Sequence, residues 1–150
     1  MSFMSSAIIR PALINDAAAI AQIESCLFSE PWSQDAFVQE LGHSFSRYFV
    51  ASCNECICGY AGLWLVCDEA HIVNIAVLAE YQGRGIGAKL LERLINTADL
   101  NKQRIMMLEV RESNIAARAL YEKYGFIDRG IRLGYYKIPI ENAILMDLAL

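Results

Sequence analysis

The chain has 150 residues, with 13 Lys and Arg against 17 Asp and Glu, for a formal net charge of −4. That length suits one compact domain over residues 1–150, and 55% apolar against 20% charged residues excludes a disordered or fibrous chain. Mean hydropathy is high at +0.29, but the longest charge-free apolar run, Cys56 to Cys67, is interrupted by Gly59 and Gly62 and falls short of the roughly 20 residues that span a bilayer.

The first six residues are small and polar apart from Phe3 and the methionines, and read as a frayed end. Ala7 to Leu13 reads as a strand. Asn15-Asp16 offers a cap and an acidic first turn for a helix from Ala17 to Phe28, which Pro31-Trp32-Ser33 brings to a stop. Ser33 can cap a second helix, Gln34 to Leu41, with Gly42 in the terminator position. A hairpin follows: Arg47 to Cys53, a turn at Asn54-Glu55, then Ile57 to Cys67. His71 to Val77 is a further strand.

From Gly85 to Leu100 the residues Ile86, Leu90, Leu91, Leu94, Ile95 and Ala98 share one helical face. Ile105 to Val110 is apolar on both faces, as a central strand should be. Ile115 to Tyr124 is a helix closed by Gly125, and Phe126 to Lys137 and Ala143 to Leu148 are the last strands. The order is β-α-α-β-β-β-α-β-α-β-β, an α/β (α+β) chain with a largely antiparallel first half.

Five cysteines, with no positively charged start and apolar core of a secretory signal, point to free thiols in a reducing, cytoplasmic setting. Cys53, Cys56 and Cys58 cluster, but His43 and His71 are the only histidines and no pair of well-spaced ligand pairs emerges, so no metal site is expected. The pI of about 5.2 argues against direct nucleic-acid binding.

The densest signal is the segment Val77-Leu-Ala-Glu-Tyr-Gln-Gly-Arg-Gly-Ile-Gly-Ala88, which follows a strand and opens a helix. Its glycines permit close backbone approach, and a helix start presents unpaired N–H groups and a positive dipole end, which suit a pyrophosphate. A P-loop is excluded because Ala88 follows Gly87 and no Lys-Ser or Lys-Thr pair is present. The dinucleotide fingerprint is excluded because the third glycine comes one residue early. Tight strand–helix packing is the structural alternative.

Gln82-x-x-Gly85-x-Gly87 resembles the acetyl-CoA motif of the GNAT N-acetyltransferases. Leu108-Glu-Val-Arg-Glu-Ser-Asn114, then Ala117, Leu120-Tyr121 and Tyr124-Gly-Phe126, resemble the second half of that cofactor site. With Pro31-Trp32-Ser33, Arg132-x-x-Tyr135-Tyr136 and Ala143-Ile-Leu-Met146, the chain is similar to the bacterial ribosomal-protein-alanine N-acetyltransferases over nearly its whole length after Ser6. Asn142 departs from the acidic residue expected there.

The resemblance implies the GNAT fold, with a mixed central sheet of about six to seven strands and about four helices, in a monomeric enzyme of the cytoplasm. It implies transfer from acetyl-CoA to the N-terminal α-amino group of a small-subunit ribosomal protein, without metal. A small-molecule amine acetyltransferase and a non-catalytic CoA-binding module are the alternatives. It further implies that Ile75, Ala76 and Val77 contact the acetyl and pantetheine end, that Gln82, Gly83, Arg84, Gly85, Ile86, Gly87 and Ala88 hold the pyrophosphate, and that Asn114 meets the CoA arm; capping a helix is the alternative for Asn114.

Acetyl transfer needs a base, an oxyanion donor and a proton for the leaving thiolate; an α-amino group with a pKa of about 8 asks little of the base. Glu109 interrupts the apolar run Ile105-Met-Met-Leu108, and burial is expected to raise its pKa toward neutrality. A strand-end carboxylate paired with Arg84, Arg111 or a backbone group is the alternative, and the resemblance makes Glu109 the proton acceptor. Tyr121, which helical spacing also allows as a core aromatic, is by resemblance the proton donor. A backbone N–H at the end of Ile75-Ala76-Val77 is expected to meet the oxyanion. Trp32, Tyr135 and Tyr136 are candidates to line a peptide groove, with Asp68 and Glu69 as acidic contributors for a basic peptide.

Overall fold

A computed structural model describes residues 6–150, so the frayed end expected over residues 1–6 lies, Ser6 apart, outside the described residues. Seven strands form one sheet: β1 (Ile8–Pro11), β2 (Ser46–Cys53), β3 (Cys56–Val66), β4 (Glu69–Val77), β5 (Ile105–Arg111), β6 (Ile127–Lys137) and β7 (Ile140–Ala149). Four helices pack on it: α1 (Ala17–Leu27), α2 (Gln34–Gly42), α3 (Ile86–Leu100) and α4 (Ile115–Lys123). The sheet order is β1-β2-β3-β4-β5-β7-β6, antiparallel throughout except between β4 and β5. The element order is the one expected. Two short 3₁₀ turns, Ile14–Asp16 and Ala79–Tyr81, add to it.

Local chemistry explains most boundaries. Asn54 and Glu55 both take positive φ, which closes the tight β2–β3 hairpin. Ser33 Oγ accepts from the Ala36 amide at 3.1 Å and starts α2. Gly125, at φ +97°, ends α4 in the left-handed conformation that glycine adopts most readily. Two expectations differ. Asp16 does not cap α1 with its side chain, because its carboxylate accepts from the Leu13 amide and is held by both Arg10 nitrogens. Gly42 is the last residue of α2 rather than a left-handed terminator, and His43 caps the end.

The two sheet faces carry separate cores. On one, Ile86, Leu90, Leu91, Leu94 and Ala98 of α3 meet Ala61, Leu63, Ala70, Ile72, Met106 and Leu108. Each large apolar side chain buried there contributes roughly 1.5–3 kcal/mol. On the other, Ile20 and Ile23 of α1 and Phe37 of α2 cover Tyr48, Val50, Tyr60 and Ala76. β5 is therefore not apolar on both faces: Met106, Leu108 and Val110 are buried, whereas Met107, Glu109 and Arg111 are half-buried on the side of α1 and α2.

Two irregularities position the site. Between β3 and β4 the register slips so that Gly62 opposes Asn74 while Leu63 opposes Ile72, which leaves Val73 as an extra residue in β4. β4 and β5 pair only over Glu69–His71 and Ile105–Met107. Beyond His71 and Met107 the two strands separate, and a gap opens through the sheet.

Candidate active site

The gap is a cleft of about 660 Å³. Val73 to Val77 line one wall and Glu109 to Arg111 the other. Tyr121 and Ala117 of α4 close it from one face, and Glu24 to Glu30 of α1 and its following loop from the other. The β6–β7 hairpin contributes Tyr136, Ile138 and Pro139.

At one end of the cleft lies the glycine loop. Gly83 and Gly85 have φ of +79° and +81°, and a Cβ at either would meet nothing. Glycine is favoured there by backbone conformation alone. The first amide of this region with a backbone partner is that of Lys89, which donates to Gly85. The amides of Gly83, Arg84, Gly85, Ile86, Gly87 and Ala88 have no partner among the described residues, which makes this helix start a receptor for anionic oxygen. The Ile86 side chain is in the core, so only its backbone is on offer. Arg84 lies over the Tyr81 ring at 5.1 Å and donates to the Glu80 carbonyl. Gln82 Nε2 donates to the Val77 carbonyl at 2.9 Å and ties this loop to the end of β4.

Ile75, Ala76, Val77 and Asn114 all line the cleft. The Leu78 amide bonds to the Cys58 carbonyl, so strand alternation turns the backbone of Ile75 and Val77 toward the gap. The Ile75 amide is taken by Asn74 Oδ1 at 3.0 Å, which leaves the inward N–H of Val77. Asn114 Oδ1 accepts from Ala117 at 3.2 Å and so caps α4 at the cleft edge.

Glu109 and Tyr121 approach the gap from opposite faces of the sheet. The expected raising of the Glu109 pKa is overturned. Its carboxylate bonds to His71 Nε2 at 2.7 Å, and that hydrogen bond holds the carboxyl below its ordinary value although burial pushes it up. Neither expected arginine partners it: Arg111 pairs with Glu141 at 3.1 Å, and Arg84 stays on its own loop. The Tyr121 ring packs on Phe126 at 5.6 Å in the core, and burial raises its pKa. Its hydroxyl has no hydrogen-bond partner among the described residues and lines the cleft, so it is a protonated donor without a receiver.

Two of the three groove aromatics, Trp32 and Tyr136, line a cavity. Tyr136 lines the cleft beneath Arg111, whose guanidinium is 4.3 Å from its ring, and burial pushes its phenol up to about 12. Trp32 lines a smaller adjoining cavity of about 120 Å³ that shares Glu24, Val73 and Asn74 with the cleft. Tyr135 does not line the cleft: 41% exposed, it packs edge-on against the Tyr136 ring at 5.0 Å and lies under the Arg132 guanidinium at 5.1 Å. The acidic expectation also moves. Asp68 and Glu69 pair with Arg104 at the far end of β4. The acids on the cleft are Glu24, Glu30 and Glu109.

Sequence reasoning missed Glu24, Tyr60, Asn74 and His71. Glu24 is 5% exposed and accepts from the Tyr60 hydroxyl, Asn74 Nδ2 at 3.3 Å and the Trp32 amide at 3.0 Å. An acidic residue in the last turns of an amphipathic helix looks like surface in a sequence. Only a partner fifty positions away shows that it is interior. Asn142, which replaces the expected acid, accepts from the Gly134 amide, and the neighbouring Glu141 supplies the carboxylate for Arg111.

A strand–loop–helix anion receptor, a split parallel pair and a carboxylate facing a phenol across the split define an acyl-CoA-dependent transferase. The chain belongs to the acetyltransferase (GNAT) family, whose model matches residues 17–126, and it is an acetyl-CoA-dependent N-acetyltransferase. It is 38% identical over 135 residues to the [ribosomal protein bS18]-alanine N-acetyltransferase of Escherichia coli, covering 89% of this chain and 90% of that one. It is 36% identical over 137 residues to an N-alpha-acetyltransferase of Mycobacterium tuberculosis, covering 87% and 85%. The crystal structure of the ribosomal-protein-S18-alanine N-acetyltransferase from Escherichia coli superposes with a TM-score of 0.88 at 36% identity, over 96% of this chain and 94% of that one. Among the described residues no group of His, Cys, Asp and Glu could hold a metal, and no helix is long and apolar enough to cross a membrane.

Proposed function

We propose that the chain is one catalytic domain that acetylates the α-amino group of an N-terminal alanine on a ribosomal protein, with Glu109 as base and Tyr121 as acid. The observation that carries this reading is that Glu109 and Tyr121 line one cleft from opposite faces of the split sheet. The name of the Escherichia coli relative supplies the acceptor.

In this reading the pyrophosphate of CoA lies on the free amides of Gly83 to Ala88. Its pantetheine arm runs along Ile75 to Val77 and past Asn114, and the thioester reaches the Val77 N–H. The acceptor ammonium gives a proton to Glu109, which is ionised at neutral pH because its carboxyl is held low. The amine nitrogen attacks the thioester carbon, and the oxyanion formed is met by a backbone N–H. As the C–S bond breaks, the thiolate takes the phenolic proton of Tyr121, whose raised pKa keeps that proton in place until then. As the amide forms, its nitrogen returns its surplus proton to the Tyr121 phenolate and Glu109 passes the first proton to solvent, so both side chains are restored and one proton is released overall.

Glu24 and Glu30 give the acceptor side of the cleft a negative lining, and Trp32 and Tyr136 give it apolar contact area. That combination suits a basic peptide arriving end-on, with no nucleic acid in contact, at a monomeric enzyme. The decisive assay incubates the protein with acetyl-CoA and a basic peptide that begins with alanine, then weighs the products. The peptide is expected to gain one acetyl group at its α-amine. An unmodified peptide beside an acetylated polyamine or lysine side chain would defeat the acceptor assignment.

A further inference from the structure

His71 occupies the last paired position of β4 against β5, opposite Met107, where the gap begins. Glu109 stands two residues further along β5, on the same face. His71 Nε2 reaches Glu109 Oε2 at 2.7 Å across 38 residues of sequence, and this contact bridges the two strands at the point where their backbone pairing ends. The imidazole is braced in turn. The Trp64 ring meets it edge-on at 5.9 Å, and Trp64 Nε1 donates at 2.8 Å to Glu40, which also accepts from Tyr48 at 2.7 Å. A continuous line of contacts thus runs from α2 through β3 and β4 to the Glu109 carboxylate.

A carboxylate on an unpaired strand wall would swing between rotamers. Here one oxygen is held, and Oε1 has no side-chain partner among the described residues. The ring nitrogen that meets the carboxylate is Nε2, which donates to Oε2 when it carries a proton. The groups facing Glu109 are His71 from β4, Arg132 and Tyr136 from β6 and Glu24 from α1 across the cleft, with Arg111 next on its own strand; its β7 partner, Leu145, is uncharged. His71 is the one that makes a direct bond.

We propose that His71 is a positioning residue for acetyl transfer: through Nε2 it holds one oxygen of Glu109 so that the other stays aimed at the acceptor amine as an ionised base. This rests on the reading of Glu109 as the base. His71 touches neither substrate nor cofactor and acts only through Glu109. The low Glu109 pKa is consistent with that restraint, since the hydrogen bond from His71 is its largest cause.

The test compares the parent with His71→Ala and His71→Gln, the second of which keeps an N–H donor at the position of Nε2. Two quantities are read: the midpoint of the Glu109 carboxyl by ¹³C titration, assigned with Glu109→Gln, and the pH profile of peptide acetylation. The acid side of that profile falls with one proton from the amine and steepens to two where the base itself becomes protonated. In His71→Ala the carboxyl midpoint and the steepening point are expected to rise together. The kcat near neutrality is expected to fall about tenfold with KM for acetyl-CoA unchanged, a small share of the hundredfold or more that a general base contributes. His71→Gln is expected to recover most of the rate. A carboxyl midpoint that stays put in His71→Ala, or a Gln variant no better than Ala, would overturn the proposal and leave Glu109 as base. A carboxyl that moves while the rate profile does not would overturn it through the base reading, and parental turnover by Glu109→Gln identifies that case.

Discussion

The Arg111 guanidinium lies 4.3 Å from the centre of the Tyr136 ring and also donates to the carbonyls of Ile138 and Pro139 at 3.1 Å and to Glu141. One side chain at the end of β5 therefore holds the β6–β7 hairpin over the side of the cleft proposed to take the acceptor. Ser29 Oγ, in the loop after α1, donates to the same Ile138 carbonyl and links the two loops that roof the site. Arg111→Ala is expected to raise KM for the peptide about tenfold and to leave KM for acetyl-CoA within about twofold, because the lost bonds order only the acceptor side. Arg111→Lys should recover little, since one ammonium cannot reach two carbonyls and a carboxylate in that fixed fork. Steady-state kinetics with each substrate varied in turn will separate the two constants.

Glu109→Gln and Tyr121→Phe are expected to lower kcat by about 10²–10⁴ each while binding acetyl-CoA normally. Tyr121→Phe carries little folding penalty, because the hydroxyl it removes has no partner. Its melting temperature should match the parent's. Parental turnover in both variants would remove the assigned roles, and CoA binding with no acceptor turned over in the parent would favour a non-catalytic module.

Gly85→Ala places a side chain in open space but on a backbone at φ +81°. The cost is conformational, about 1 kcal/mol if the loop holds its shape. The alternative is a shifted loop whose amides no longer converge. A shifted loop should raise KM for acetyl-CoA several-fold with peptide KM unchanged and weaken CoA in isothermal titration, whereas a loop that holds its shape should lower only the melting temperature.

Asp16 offers a test by pH. Its hydrogen bonds from Arg10 hold its pKa below the ordinary carboxylate value, so its contribution to stability is fully present above about pH 4 and is lost as pH falls through the lower native value. Arg10→Met removes that restraint. It should cost about 1 kcal/mol near neutrality, a modest figure because Arg10 is 40% exposed, and the difference from the parent should close as the medium is acidified. Urea melts at neutral and acid pH will show it.

Much of this was legible in the residues. Asn54-Glu55 marked its hairpin because few residues tolerate the positive φ the turn demands. Ser33 marked a helix start by the same kind of local chemistry. The helical spacing of Ile86, Leu90, Leu91 and Leu94 marked a buried face. The strand, glycine loop and helix start were legible because they are contiguous in sequence. The opposite side of the cleft, lined by α1 and the β6–β7 hairpin, was not. Whether Tyr135 or Tyr136 faces the cleft depends on strand register, and the β6–β7 pairing is shifted between Arg132 and Tyr136. Asp68 and Glu69 looked available for a basic peptide because nothing local announces Arg104 as their partner. Reading Glu109 as a desolvated acid failed for the same reason. The group that decides its ionisation is His71, in a different strand.

The three-residue pairing of β4 with β5 divides the hydrogen-bonded ladder into a larger block, β1 to β4, and a smaller one, β5 to β7, with a short seam between them. Backbone groups on both lips of the seam face a slot where a neighbouring strand would ordinarily satisfy them. A ligand arm that lies in the slot would act as an inserted rung and tie the two blocks together across the seam. Amide exchange at Val77 and Glu109, whose N–H groups both face the slot, should then slow markedly with bound CoA, and melting should become steeper as well as later. At a ligand concentration about a hundredfold above Kd, the gain is about 2.7 kcal/mol. The enzyme would thus be most resistant to unfolding and proteolysis when charged with its own acetyl donor.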